Sequence, residues 1–350
     1  MRLMPIGIIL CAFFFLGRHV YLHADEIMRF EWRIDYPMLA FSILFLSFLL
    51  LLQAFGWYMI LKALNISVNI WLCIKIYTIT QLGRYIPGKV MLLVGRVLMS
   101  EQMGISKTLT SVSVLFEALL FTAGAFFGIG ILYAMAHRIH LVGFNGWIIG
   151  GGLIAGMVLL YPPVSRWVMA RLYFFKFKDS VPDICFSFRF HKMGMICVYY
   201  TVLWILIGLS FYLFVRSITG SALNPDLFAD TACIYLVSWM IGFLSIVAPG
   251  GMGVRETVMA IMFQQILPIY LVSAVSILAR VWATAAELIG VLIVYLIPVS
   301  NQILSRRDRS LPGPDQPDEH YRSQRPPFRQ RQGKDCAPFA PRRGRFQDER

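Results

Sequence analysis

From Pro37 to Leu61 the chain carries no charged residue. As a helix rising 1.5 Å per residue, such a run reaches ~37 Å, more than the roughly 30 Å of a bilayer's hydrocarbon core. Runs of this kind recur, and they exclude a water-soluble domain, whose helices would need one polar face. Apolar spans are predicted near residues 4–22, 37–61, 109–135, 146–169, 193–215 and 271–298. Composition agrees: 58% of residues are hydrophobic and 15% charged, against about a half and a quarter in soluble domains. The expected fold class is all-α, a polytopic transmembrane helix bundle.

Two further apolar regions, 68–100 and 226–268, are broken in the middle. The first is interrupted by Gln81-Leu82-Gly83-Arg84-Tyr85-Ile86-Pro87-Gly88-Lys89, the second by Ala248-Pro249-Gly250-Gly251-Met252-Gly253. Proline removes a backbone donor and glycine releases the chain from helical geometry, so helix breaks are predicted at Pro87, Gly88, Pro249, Gly250, Gly251 and Gly253.

Loop charge orients the spans. The 166–192 loop carries Arg166, Arg171, Lys176, Lys178, Arg189 and Lys192 against Asp179 and Asp183, which predicts a cytoplasmic position. The 18–36 loop, with acids in the majority, suits the outside. Threading on these constraints puts both termini in the cytoplasm of a multi-pass inner or plasma membrane protein. The broken segments then become re-entrant hairpins entered from opposite sides, a possible inverted repeat of the transporter kind. Residues 1–304 form the membrane domain. Residues 305–350, rich in Arg, Pro, Gln and Asp, are predicted to be a disordered basic cytoplasmic tail touching anionic lipid headgroups. Mixed charge in that tail argues against a nucleic-acid partner.

The N-terminal apolar run lacks a small-x-small cleavage site, so an uncleaved signal-anchor helix is expected. Six scattered cysteines without a CxxC pair, and His137 and His140 without acidic neighbours, give no reason to expect a metal or other cofactor. Asn65-Ile66-Ser67 is a glycosylation sequon on the predicted cytoplasmic side, hence a chance match. GxxxG spacings at Gly124–Gly128 and Gly152–Gly156 predict close helix packing.

The polar residues inside the apolar regions are the candidate site. Arg84, Lys89 and Arg96 flank the first break, and Lys89 and Arg96 share one helical face. A helix N-terminus beside them would complete an anion site for a phosphate. The alternative is that these cations snorkel to the headgroups. At the second break Arg255 and Glu256 are adjacent, point about 100° apart on a helix, and each needs another partner. Glu117 and Arg280 lie at similar depth in the full helices that follow the two breaks. Their equivalence raises a pairing of Glu117 with Arg280; failing that, Arg280 would pair with Glu287 or Glu256. Arg280, Thr284 and Glu287 make one polar stripe. Structural ion pairs and a wet substrate-lining role both account for these residues.

Gly83-Arg84-Tyr85-Ile86-Pro87-Gly88-Lys89, Gly95-Arg96, Gly104-Ile105-Ser106, Glu117 and Pro249-Gly250-Gly251-Met252-Gly253-Val254-Arg255-Glu256 together resemble the lysylphosphatidylglycerol synthase transmembrane region, also called flippase-like. The resemblance covers roughly residues 5–300. It implies a helical domain that accommodates lipid and moves it between leaflets, with Arg84, Lys89, Arg96, Glu117, Arg255 and Glu256 lining the path. The full synthase continues into a soluble aminoacyltransferase domain where this chain has its basic tail, so lipid aminoacylation is not expected. The leading expectation is a non-enzymatic transporter of a lipid with an anionic headgroup, a phospholipid or a polyprenyl-phosphate-linked sugar. Two alternatives remain: a membrane-embedded lipid-phosphate transferase with Glu117 or Glu256 as base, and an accessory subunit for a glycosyltransferase or lipid-synthesis partner.

Overall fold

A computed structural model describes residues 34–66, 68–85, 90–102, 104–136, 156, 190–220, 223–244, 253–267 and 269–296. The predicted spans 4–22 and 146–169 (Gly156 apart) and the tail lie outside these residues, as do Pro87, Gly88, Lys89, Pro249, Gly250, Gly251, His137 and His140. The described residues form helices and no strands: α1 (Tyr36–Ala63), α2 (Ile70–Gln81), a 3-10 turn (Leu82–Tyr85), α3 (Val90–Glu101), α4 (Lys107–Met135), α5 (Phe190–Thr219), a second 3-10 turn (Pro225–Leu227), α6 (Phe228–Leu244), α7 (Val254–Phe263) and α8 (Ile269–Leu296).

Local chemistry sets several ends. Asp35 accepts from the Met38 N–H at 3.1 Å, Asn69 from Trp71 at 2.9 Å and Ser106 from Leu109 at 3.2 Å, each capping a helix start. α1 stops at Asn65, whose φ of 59° is left-handed. The Ile66 N–H there closes on the Leu61 carbonyl at 3.0 Å. The asparagine of the sequon is thus a helix terminator.

α5 is the hub, packed on α1, α4, α6 and α8. Its contacts fix the directions of its neighbours. Asp35 N–H donates to Ser217 O at 2.8 Å, Ser210 to Ser42 O at 2.9 Å and Tyr199 to Leu52 O at 2.6 Å, so α1 and α5 are antiparallel. Trp282 donates to Ser42 at 3.1 Å, and Gly290 lies against Ser47, so α8 runs parallel to α1. Gly124 meets Tyr200 and Gly128 meets Trp204, so α4 runs parallel to α5. Tyr212 stacks edge-on to Phe228 and Trp204 to Trp239, so α6 returns antiparallel. Both ends of the α2–α3 segment therefore lie where α1 ends and α4 begins. Both ends of the α6–α7 segment lie at the opposite end of the bundle, where α5 ends and α8 begins.

Among the described residues, five helices are long and apolar enough to cross a membrane by length and composition: Tyr36–Ala63, Lys107–Met135, His191–Thr219, Pro225–Phe243 and Val275–Leu296. They carry large apolar side chains on their outer faces, among them Phe41, Leu44 and Phe48 on α1 and Met195, Val198 and Val202 on α5, which suits a hydrocarbon solvent. At 12, 12 and 10 residues, α2, α3 and α7 reach only ~15–18 Å. The two broken segments thus differ: the first has two short arms, whereas the entering arm of the second is of spanning length.

Candidate functional site

The first cluster forms where α2, α3 and α4 meet. Arg96 is 1% exposed and Glu117 6%, and they form an ion pair. The Arg96 guanidinium lies 4.2 Å from the centroid of the Tyr77 ring and 4.9 Å from that of Trp57, faces that attract a cation. The Tyr77 hydroxyl donates to the second oxygen of Glu117. Trp57 in turn donates to Ser113 at 3.0 Å. A buried charge in lipid is costly unless paired; here every charged atom named has a partner.

The second cluster forms where α6, α7 and α8 meet. Gly253, at φ 82°, donates its N–H to Glu256 at 2.7 Å and so starts α7. The other carboxylate oxygen of Glu256 takes Arg280 in an ion pair whose side chains remain 12% and 14% exposed. Arg255 turns away and lies 4.7 Å over the Tyr235 ring.

The clusters mirror each other. In each broken segment the return helix sets an arginine over a tyrosine of the entering helix: Arg96 over Tyr77, Arg255 over Tyr235. In each, the return helix also forms an ion pair with the following long helix, Arg96 with Glu117 and Glu256 with Arg280, with the signs reversed.

These contacts correct two expectations. Glu117 takes Arg96 rather than Arg280, and Arg280 takes Glu256, because each return helix packs directly on the helix after it. Arg96, expected to face an anion together with Lys89, is instead enclosed between two aromatic rings and a carboxylate, and Lys89 lies outside the described residues. The backbone of Arg84 lies in the 3-10 turn, and its side chain is outside the described residues. Arg255 and Glu256 do point to different partners, as their adjacency required.

Between α1, α2 and α8 a narrow cleft is lined by Gln53, Tyr77, Thr78, Gln81, Glu287 and Gly290, among others. Of these, only Glu287 stood out in the sequence. Gln53 is a single polar residue in an apolar run, Gln81 opens the first interruption, and Tyr77, Trp57 and Tyr235 look like core aromatics; only Tyr77, Thr78 and Gln81 (i, i+1, i+4) carry a helical-face signal.

The family model described as the lysylphosphatidylglycerol synthase TM region matches residues 3–294. The chain belongs to that family. It is a multi-pass membrane protein of lipid-related function. Comparison with curated proteins and with solved structures gives no match.

Proposed function

We propose that this member of the family moves a lipid with an anionic headgroup, a phospholipid or a polyprenyl-phosphate-linked sugar, between leaflets of the inner or plasma membrane. The observation that carries the reading is the mirrored pair of polar clusters, each at a short return helix, in segments whose ends lie at opposite ends of the bundle. Two re-entrant halves of that kind would give a headgroup polar surroundings from either side in turn. The basic 166–192 stretch leads into the start of α5, so the end of the bundle holding α2–α3 is cytoplasmic on this reading, as are both termini. Arg84 and Lys89 would meet the phosphate at that mouth and Arg255 at the other, while the two ion pairs hold the arms in place. The transferase alternative is disfavoured because both oxygens of each carboxylate it would use as base are already engaged, those of Glu117 by Arg96 and Tyr77 and those of Glu256 by Arg280 and the Gly253 N–H.

Reconstitution tests this. Purified protein in liposomes with a fluorescent-headgroup phosphatidic acid should expose inner-leaflet probe to an external membrane-impermeant quencher faster than protein-free liposomes do. Equal rates with and without protein, for this lipid and for a polyprenyl-phosphate sugar, would overturn the proposal.

A further inference from the structure

The cleft between α1, α2 and α8 shares Tyr77 with the first ion-paired cluster, but the rest of its polar lining belongs to neither cluster. Gln53 lies ten residues before the end of α1 at Ala63, Thr78 eight after the start of α2 at Ile70, and Glu287 nine before the end of α8 at Leu296. Those three helix ends share one side of the bundle, so at 1.5 Å per residue the cleft sits ~12–15 Å deep, near the middle of a hydrocarbon core of roughly 30 Å. Thr78 is 9% exposed, lines the cleft, and its hydroxyl has no hydrogen-bond partner among the described residues. A buried hydroxyl without a partner is costly, and its position points to a ligand. The cleft has room for a water-sized species.

The lining supplies one carboxylate (Glu287), two amides (Gln53, Gln81) and two hydroxyls, Thr78 and a Tyr77 that already donates to Glu117. Oxygen donors suit hard cations. Calcium takes six to eight of them, usually with several carboxylates, and magnesium keeps a bulky shell of water. One carboxylate with neutral oxygens in a water-sized space suits a monovalent ion. We propose that this cleft is a binding site for a small alkali-metal cation, with sodium as the best fit. Tyr77 lines the same cleft and donates to Glu117, so an ion there bears on α2 and on the first cluster together. Its role as a coupling ion rests on the lipid-transport reading; its binding does not.

The test needs no lipid transport. Thermal unfolding of the purified full chain in detergent is followed in sodium, potassium and N-methyl-D-glucamine chlorides at equal ionic strength and fixed pH. A saturable rise in Tm with sodium or potassium over the organic cation is expected. Thr78→Val, which keeps shape and removes the hydroxyl, should weaken the apparent ion affinity at least tenfold while leaving Tm in N-methyl-D-glucamine near wild type. Glu287→Gln should abolish the response. The same Tm in all three salts, or a full sodium response in Thr78→Val, would overturn the site. So would a Tm that follows pH alone.

Discussion

Arg96 of α3 and Glu117 of α4 form an ion pair closed off on two sides by the rings of Trp57 and Tyr77. The pair ties the return arm of the first broken segment to the helix after it. Removing one member of a buried pair costs about 3–5 kcal/mol, because the other is left uncompensated, whereas removing both can be nearly neutral. Arg96→Gln and Glu117→Gln should therefore each lower Tm in detergent, and the double variant should recover much of the loss. Additive losses in the double variant would show that the pair does not carry this energy.

Glu117 and Arg280 belong to different pairs, so the same measurement on Glu117→Gln with Arg280→Gln has a different expected outcome. Distant sites without a shared partner add to within about 0.3–0.5 kcal/mol. Coupling is instead expected between Arg280 and Glu256, where the exchange Glu256→Arg with Arg280→Glu should fold better than either single reversal. Strong coupling of Glu117 to Arg280 would contradict the assignment of partners.

The helix packing makes a sharper contrast among glycines. A Cβ on Gly124 would lie 2.7 Å from the Tyr200 Cβ and 3.0 Å from the Thr201 backbone nitrogen, neither of which can swing aside. Gly124→Ala should destabilise by about 1–3 kcal/mol, the usual range for overpacking. Gly194, in α5, has nothing among the described residues within 4 Å of its added Cβ, so Gly194→Ala should gain up to about 1 kcal/mol from helix propensity. Opposite shifts of Tm in the two variants are the expected result.

Much of this arrangement is legible in the sequence. The long apolar runs mark α1, α4, α5 and α8 to within a few residues, because a span in lipid has no other way to satisfy its backbone. Gly124 and Gly128 announce the α4–α5 contact, and Gly253, one of the predicted break residues, stands at the start of α7. Partners are less legible. Helical spacing says which face a residue occupies but not which helix lies against it, and so Glu117 and Arg280 looked like a pair. Arg96 looked like a headgroup ligand because it shares a face with Lys89; its enclosure depends on Trp57 and Tyr77, which nothing local distinguishes from core. The cleft brings together Gln53, Thr78 and Glu287 from three distant segments, and no spacing within one segment joins them.

The central claim is that the two broken segments enter from opposite sides, each returning to the side from which it came. The second segment is the critical case, because its entering arm, Pro225–Phe243, is long enough to cross outright. Asn69, Glu101, Asp226 and Gln264 are exposed at the four segment ends. Single cysteines at these positions, on a cysteine-free background that retains activity, can be labelled with an impermeant maleimide in sealed vesicles of either orientation. The account predicts that the cysteines at 69 and 101 react only from the cytoplasmic face, and those at 226 and 264 only from the other. Labelling of 226 and 264 from opposite faces would mean that the second segment crosses the membrane, and would contradict it.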